Sequence, residues 1–343
     1  MKKRLFVTLF ILLTINIKAQ FYEVFSAAQQ DAEKFVTEFT NPLFKGVMYA
    51  TNAGWYNSAK TLKPYKFELK INTSAAFVPK KYETFFFDEN SYNYLKLDYG
   101  PDELPTIMGG DATSHLIVAL PGSNSETEIY EFDAPDGIKD ALPLNIIPAP
   151  SLQLSMGFLL NSEVQLRYIP NLEKDGGYIN LLGVGLKHNI SQYFSKDKKN
   201  NNKKDEDKIF NLSVQVMYQN IGSGYDDSGD KGIKLNINSF SYQAIASLDY
   251  KLLSFYSAVG YTNATTTLDV LGDYDYTYTV KDSNGNVIGT NTITITDPLS
   301  MDYNTNGMNA TFGVKLNLMF LRFFADYTIQ EFPVINAGIG VKF

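Results

Sequence analysis

Apolar and polar residues alternate along much of this chain with the period of two that strand side chains show. The segment 334–343 is the clearest case, because every second residue from Ile335 to Phe343 is apolar and most of the residues between them are small or polar. The pattern recurs in three more segments, 64–77, 209–219 and 308–318. Their lengths suit strands that cross a bilayer at a tilt, which takes about 9–11 residues. The alternation therefore predicts an all-β protein, and in particular a transmembrane antiparallel β-barrel.

Fourteen strands are predicted, an even number as in single-chain outer-membrane barrels. Their predicted bounds are 64–77, 80–88, 92–98, 114–120, 127–133, 151–159, 162–169, 178–187, 209–219, 239–250, 254–263, 308–318, 320–330 and 334–343. A water-soluble barrel such as a lipocalin has the same period with its apolar residues inside. The alternation alone therefore leaves open which way the apolar face points, and strand length favours the membrane.

The connections between these strands separate into short and long ones, as in barrels with short periplasmic turns and long outer loops. Counting back from a last strand that ends in the periplasm, the short turns near Asn161, Lys251 and Met319 are periplasmic. The predicted outer connections are 170–177, 220–238 and 264–307. Within 264–307 a hairpin of 274–280 and 287–295 is expected, because Asn284-Gly285 is a strong turn signal.

The connection 188–208 departs from this rule, because it is expected on the periplasmic side and yet is long. It contains the charged run 196–208, which is made almost entirely of Lys, Asn and Asp. Such a run predicts a solvated insertion, with a binding site for an acidic partner as the alternative.

The N-terminus has the three parts of a secretory signal peptide. Basic residues up to Arg4 precede the apolar run Leu5–Ile17, and cleavage is expected after Ala19. The run is shorter than the roughly 20 apolar residues that a membrane-spanning helix needs. Removing residues 1–19 takes away three lysines, one arginine and no acid, so the formal charge moves from −7 to −11. Nucleic acid is therefore not expected as a partner.

Composition agrees with an exported barrel. The chain has 24 Phe, 23 Tyr and 24 Gly but a mean hydropathy of −0.17, as expected of strands with one apolar face and polar loops. It has no cysteine, which excludes disulfides, a lipid anchor on cysteine and Cys-based metal or redox chemistry.

Residues 20–60 are expected to form an N-terminal unit that precedes the barrel of residues 61–343. Apolar residues at near-helical spacing predict a helix over Phe25–Thr40. The pair Asn41-Pro42 is expected to end it, because Pro cannot continue a helix and restricts the residue before it. The aromatic and glycine-rich segment 43–60 has no clear period and is predicted to be irregular but ordered.

The polar faces of the predicted strands would line the barrel lumen. The residues concerned are Glu68, Lys70, Glu163, Gln165, Arg167, Asn211, Gln215, Lys315, Arg322, Asp326 and Lys342. Their mixed charges fit interior salt bridges and a wetted pore equally well.

Little in the sequence suggests catalysis, and the expectation is that the protein is not an enzyme. The two histidines, His115 and His188, have no metal-ligand spacing, so no metal or other cofactor is expected. An integral-membrane hydrolase is the weak alternative, because Ser114-His115 places a nucleophile and a base side by side in sequence.

Two resemblances sharpen these expectations. The terminal Phe343, with Val341 and Ile339 at alternate positions before it, resembles the C-terminal assembly signal of bacterial outer-membrane β-barrels. That likeness implies the outer membrane of a Gram-negative cell, contact with its lipid and recognition by the barrel-assembly machinery.

The order of signal, short helix, Asn41-Pro42 and about fourteen strands resembles the FadL/TodX-type transporters, whose N-terminus forms a hatch in the barrel. Asn41-Pro42 matches the first two residues of that family's Asn-Pro-Ala, and Leu43 departs from it. The resemblance implies passive transport of hydrophobic, fatty-acid-like molecules, with Asn41 and Pro42 as a hatch hinge and Tyr49, Trp55 and Tyr56 as an apolar wall for the ligand. The alternative is a non-transporting structural or surface-binding barrel with 264–307 as its adhesive element.

Overall fold

The computed structural model describes residues 29–121, 127–141, 143–194, 209–227, 231–282 and 284–343. The predicted signal peptide and the charged run 196–208 lie outside these residues. The helices are α1 (Gln29–Asn52) and α2 (Ser191–Phe194), with 3₁₀ turns at Lys80–Tyr82, Glu89–Ser91, Lys139–Ala141 and Pro143–Asn145. The strands are β1 (Phe67–Phe77), β2 (Thr84–Phe86), β3 (Leu95–Tyr99), β4 (Glu103–Pro105), β5 (His115–Pro121), β6 (Thr127–Asp133), β7 (Ile146–Phe158), β8 (Ser162–Lys174), β9 (Gly177–Asn189), β10 (Phe210–Asp227), β11 (Lys231–Asp249), β12 (Leu253–Leu271), β13 (Asp273–Lys281), β14 (Val287–Thr296), β15 (Leu299–Leu318), β16 (Leu321–Ile329) and β17 (Val334–Lys342).

Ten of these strands close into an antiparallel barrel, so the prediction of fourteen barrel strands is wrong in number. Their order around the barrel is β1-β17-β16-β15-β12-β11-β10-β9-β8-β7. The first barrel strand closes the ring by pairing with both β7 and β17, with Glu68 opposite Ser155 and Lys342. The ten correspond to the predicted strand at 64–77 and to the nine predicted from residue 151 onward.

The other four predicted strands, 80–88, 92–98, 114–120 and 127–133, do not enter the barrel. Their chain forms a five-stranded sheet of order β14-β13-β6-β5-β3 and a two-stranded sheet of β2 and β4. The strands β2 to β6 have only three to seven residues, too few to cross a bilayer. Their alternation instead buries Leu95, Leu116 and Val118 in a core that they share with α1. We call residues 78–145 and 272–298 the cap.

The two faces of the barrel wall answer the question that the alternation left open. Apolar residues such as Ile71, Val184, Phe312 and Ile335 point outward and are exposed. Glu68, Lys70, Glu163, Gln165, Arg167, Asn211, Gln215, Lys315 and Asp326 are buried inside the barrel. A wall that is apolar outside and polar inside suits a lipid surround and is opposite to the arrangement of a soluble barrel.

Short turns join the strands at one end of the barrel, for example at Asn161 and Met319, and the cap covers the other end. The C-terminal Phe343 lies at the short-turn end, where its carbonyl accepts a hydrogen bond of 2.9 Å from the Phe67 N–H. Because short turns face the periplasm in such barrels, we call this the periplasmic end and the opposite one the outer end.

Much of the predicted outer connections is strand. β10, β11, β12 and β15 have 18 to 20 residues each, or about 60 Å of extended chain, and so rise above a bilayer. Polar side chains bridge neighbouring strands there, with Thr265 donating to Asn304 at 2.8 Å and Thr267 to Asp302 at 2.7 Å. Pairing therefore continues after the apolar alternation has ended. The predicted hairpin within 264–307 is confirmed as β13 and β14.

The prediction that Asn41-Pro42 ends the first helix is wrong, because α1 continues to Asn52. A proline inside a helix costs about 3 kcal/mol. Burial of Leu43, Phe44 and Val47, at roughly 1.5–3 kcal/mol each, outweighs that cost. Only the last part of the segment predicted to be irregular, after Asn52, is non-helical. No helix in the described part of the chain is both long and apolar enough to span a membrane.

Candidate functional site: the lumen plug and its contacts

Residues 29–63, which we call the lumen plug, contain most of the predicted site residues. At the outer end, the Asp31 carboxylate accepts hydrogen bonds of 2.7–3.0 Å from the N–H groups of residues 93–95 in the cap. At the periplasmic end, the Ala59 N–H donates to Ser247 Oγ and the Leu62 N–H to Glu163 Oε2, each at 3.0 Å. The plug therefore runs along the lumen from the outer to the periplasmic end.

Trp55, predicted as part of a ligand wall, lies at the centre of this arrangement and is fully buried. Its ring packs on the backbone of β9, where a Cβ atom at Gly183 would lie 2.9 Å from the ring and one at Gly185 3.2 Å. On another side, the Arg167 guanidinium carbon lies 4.1 Å from the ring centroid, in cation–π contact. Small residues at 183 and 185 are needed for this close approach.

Arg167 also closes the C-terminal end of α1. Its Nη1 donates to the carbonyls of Thr51 at 2.6 Å and Ala53 at 3.1 Å, and its Nη2 donates to Gln153 at 3.1 Å. The last carbonyls of a helix lack intrahelical partners and carry the negative end of its dipole. The barrel wall thus supplies the cation that the last turn of α1 itself lacks.

Two wall lysines hold the chain that follows. Lys70 Nζ donates to the carbonyls of Gly54 at 2.8 Å and Trp55 at 3.0 Å. Lys187 Nζ reaches the Ser58 carbonyl at 3.3 Å and forms an ion pair of 3.1 Å with Glu163. Of the two readings of the lumen charges, these contacts favour interior pairing over a wetted pore.

Tyr56 and Tyr49, the other predicted wall residues, are also buried. The Tyr56 ring packs edge-on against Tyr256 with 6.2 Å between centroids, and the Tyr256 hydroxyl donates to Asp326 at 2.8 Å. The Tyr49 hydroxyl donates to Glu331 at 2.9 Å. Both aromatic residues thus contact barrel side chains.

A polar cluster fixes α1 to the outer rim at the turn between β16 and β17. The Glu331 carboxylate forms an ion pair of 2.8 Å with Lys45 and accepts hydrogen bonds from Tyr49 and Tyr82. Burial alone raises the pKa of Glu331, but the hydrogen bonds from Lys45, Tyr82 and Tyr49 and the charge of Lys45 outweigh burial. Its pKa therefore lies below the ordinary glutamate value. We call these four residues the rim latch.

The predicted hinge residues lie in the middle of α1. The Asn41 side-chain oxygen accepts a hydrogen bond from the Tyr303 hydroxyl on β15. Pro42 is part of the continuous helix, between the buried residues Thr40 and Leu43. The structure thus places both residues within a helix that packs against the wall.

Two concavities differ in where they lie. The one beside the plug, between Tyr56 and Asp326, has a volume of about 10 Å³, room for about one water molecule. The other, of about 800 Å³, lies on the lipid-facing wall among residues such as Phe255, Phe312 and Ile335.

The geometry at the histidines gives no complete catalytic triad. Ser114 Oγ donates to the Pro101 carbonyl at 2.7 Å, and the His115 ring stacks on Tyr99. A second pair, which the sequence did not suggest, joins Ser162 Oγ and His188 Nδ1 at 2.9 Å. The far ring nitrogen of His188 meets the Tyr193 hydroxyl at 3.0 Å, where a triad has a carboxylate.

Metal ligation has no evident site. Among the described ranges, no group of three or more His, Asp or Glu side chains is placed to hold a metal ion.

Several residues that fix the plug were not predicted, namely Asp31, Lys45, Tyr82 and Glu331. Each bonds to a partner far away in sequence, for example Lys45 to Glu331. No local pattern marks such a pair, because a lone polar residue on a helix is ordinarily solvated. In contrast, Lys70, Arg167 and Lys187 lie on the polar faces of their strands, and the alternation pointed to two of the three.

The closed wall, its apolar exterior and the plug in its lumen define a plugged transmembrane β-barrel. The chain belongs to the family of unknown function DUF6588, whose sequence profile matches residues 1–343. No curated protein matches the sequence.

Solved outer-membrane barrels are among the structures it resembles. The attachment invasion locus protein Ail of Yersinia pestis has 8% identity and a TM-score of 0.28, over 82% of this chain and 99% of Ail. The translocator domain of autotransporter NalP from Neisseria meningitidis has 7% identity and a TM-score of 0.26, over 91% of this chain and 98% of that domain. A Pseudomonas aeruginosa FadL homologue has 10% identity and a TM-score of 0.21, over 87% of this chain and 95% of the homologue. Scores this low support no inference about function.

Proposed function

We propose that this protein is a closed outer-membrane barrel that acts through its cap, as a structural or surface-binding protein, and that does not pass solutes through its lumen. The observation that carries this proposal is the plug, which occupies the lumen from Asp31 to Leu62. Its backbone carbonyls are held by Lys70, Arg167 and Lys187 of the wall.

The distribution of structure between lumen and cap supports the same function. The cavity beside the plug holds about one water, whereas a drug-sized ligand needs a pocket of about 300 Å³ or more. The cap has two sheets and buries Leu104 and Leu116 in a core that it shares with α1 and the outer part of the barrel wall. An ordered cap of this size is costly in conformational entropy and suits a barrel that presents a surface.

Placement in the cell is part of the proposal. The chain is exported by a signal peptide cleaved after Ala19, enters the Gram-negative outer membrane through recognition of Ile339, Val341 and Phe343, and contacts lipid through its apolar exterior. We assign it no catalytic activity, no cofactor and no nucleic-acid partner.

Passive transport of a hydrophobic small molecule, as in the FadL/TodX type, is the second candidate. It is favoured by one feature, which is that the plug is a separate N-terminal segment seated inside the barrel. Transport would require the plug to leave Lys70, Arg167 and Lys187, and Tyr49, Trp55 and Tyr56 would then line the opened path.

A disulfide that locks the plug to the wall distinguishes the two candidates. Ser58 Oγ on the plug and Ser247 Oγ on β11 are 3.3 Å apart, so the pair Ser58→Cys and Ser247→Cys is close enough to be oxidised. The native chain has no cysteine, so this disulfide would be the only one. The refolded protein is placed in liposomes with a fluorescent long-chain fatty acid, oxidised or reduced.

The closed-barrel proposal expects no protein-dependent uptake in either redox state, with both single-cysteine variants as controls for folding and heat modifiability. Uptake that appears on reduction and disappears on oxidation would establish the transporter instead. Uptake in both states would also overturn the proposal, because a path past the locked plug would then exist.

A further inference from the structure

An unprotected strand edge lies at the margin of the cap sheet. β14 is the terminal strand of the sheet, and within the described chain it pairs with β13 alone. Its ten residues, Val287–Thr296, include no charged residue and no proline. Its described side chains are exposed from Val287 to Thr292. The N–H and C=O groups along its free side are a template for another strand.

The opposite edge of the same sheet, β3, is protected in two ways that β14 lacks. It has only five residues, and two of them, Lys96 and Asp98, are charged. Short length and charge are the usual means by which proteins prevent edge-to-edge pairing. The contrast within one sheet singles out the edge of β14.

The hairpin holds β14 extended. On the exposed face of the hairpin, the Thr277 and Thr292 hydroxyls meet at 3.0 Å, and Thr294 donates to Asp275 at 2.5 Å. On the other face, Tyr274 and Tyr278 pack towards the core that the cap shares with α1. An edge that is already extended loses little conformational entropy when it pairs.

We propose that β14 pairs edge-to-edge with β14 of a second copy of this chain, which joins the two cap sheets. The chain is acidic overall, with a net charge of −7, so a strand that has no charged residue of its own is where two copies meet with less repulsion than along a charged strand. A two-fold dimer presents the same patch from both partners, and the membrane holds both caps at one height. The inference rests on the proposed position of the cap outside the membrane and is independent of whether the lumen conducts.

Cysteine cross-linking in intact cells tests the pairing. Residue 291 is near the middle of β14, so it faces its own copy whether the strands run parallel or antiparallel. Asn291→Cys is therefore expected to give an oxidised dimer, whereas Lys96→Cys on β3 remains monomeric. Equal cross-linking of both variants, or none at residue 291, overturns the proposal, and so does a cross-link from residue 291 to a different protein.

A charged edge provides the second test. Ile288→Lys with Thr290→Lys brings two positive charges from each copy onto the shared edge, where they repel, and is expected to halve the mass measured by light scattering in mild detergent. Tyr99→Lys with Lys96 unchanged is the matched control on β3 and leaves the mass at that of the dimer. A dimer that survives the double substitution in heat-modifiable, folded protein contradicts the inference.

These results are separate from the plug-locking experiment. Cross-linking at residue 291 together with redox-gated uptake would reject the closed-barrel function and keep the dimer. Absence of both cross-linking and uptake would reject the dimer and keep the closed-barrel function.

Discussion

At the residue scale, Arg167 shows how the barrel wall holds the plug. It is almost fully buried, and its partners are the carbonyls of Thr51 and Ala53, the side chain of Gln153 and the ring of Trp55. Hydrogen bonds to a charged group are each worth about 1.5–3 kcal/mol. Loss of the guanidinium also leaves the acceptors buried without a donor.

We expect Arg167→Met to lower the free energy of unfolding by about 3 kcal/mol, because it breaks a buried polar network while keeping most of the side-chain volume. Urea titration in detergent followed by Trp55 fluorescence measures the change, since Trp55 is the only tryptophan in the sequence. Lys174→Met, in a partly exposed pair with Asp175, is the control and should cost less than about 1 kcal/mol. Equal effects of the two substitutions would show that Arg167 is not the anchor.

Gly183 offers a second residue-scale prediction. A methyl group there would lie 2.9 Å from the Trp55 ring and 3.1 Å from Gln219 Cβ, so Gly183→Ala should destabilise the protein by about 1–3 kcal/mol through overpacking. Gly289→Ala is the matched control, because nothing lies within 4 Å of its added methyl group. Gly183→Ala should cost less in a Trp55→Leu background than in the native one, because the smaller side chain leaves room for the methyl group. The same cost of Gly183→Ala in both backgrounds would show that the strain does not come from contact with Trp55. Unfolding followed by far-UV circular dichroism measures the stability of these variants.

At the scale of elements, alternation predicted the barrel strands well because the two sides of each strand meet different solvents. In β1, Ile71 faces lipid and Lys70 faces the plug, so apolar and polar residues alternate in the sequence of the strand. The same period led to a wrong prediction of barrel strands in the cap, where Leu116 and Val118 lie on the buried face of a small sheet outside the barrel wall. Strand length separates β2 to β6 from the barrel strands, because β5 has seven residues and the barrel strand β16 has nine.

The plug shows where local patterns stop being informative. Pro42 signals the end of a helix, but the surrounding wall buries Leu43 and Phe44 and keeps α1 intact. The anchors at Asp31 and Glu331 depend on residues brought close only by barrel closure. The presence of a plug could thus be expected from the N-terminal segment, and its attachment points could not.

The rim latch leads to a prediction of pH dependence. Because the pKa of Glu331 is lower in the folded than in the unfolded state, the latch stabilises the plug above the ordinary glutamate value near 4.5 and loses this contribution as pH falls through the lower, folded value. Wild type should therefore lose stability over this acidic range by about 1 kcal/mol more than Glu331→Gln does. Trp55 fluorescence in urea at pH 7 and at acidic pH measures the difference. Parallel losses in the two proteins would assign the pH dependence to other carboxylates.

At the scale of the whole molecule, the direction of the plug is the most informative feature. α1 begins beside the cap, where Asp31 bonds to residues 93–95, and the chain then descends the lumen to Leu62 before β1 rises again from the periplasmic end. The first part of the described chain therefore lies on the same side of the membrane as the cap. A plug that entered from the periplasm would begin at the opposite end.

This orientation can be tested with single cysteines in a chain that has none of its own. Gln30 is exposed at the cap end of α1, so Gln30→Cys should react in intact cells with a maleimide that cannot cross the outer membrane. Asn284→Cys, at the tip of the β13–β14 hairpin, is the positive control, and Leu160→Cys, in a short turn, should react only after lysis. Labelling of residue 160 in intact cells, with residues 30 and 284 unreactive, would show that the barrel has the opposite orientation in the membrane. Labelling of residue 284 alone would show that the plug begins inside the cell envelope. The plug would then have to enter the barrel lumen from the periplasm.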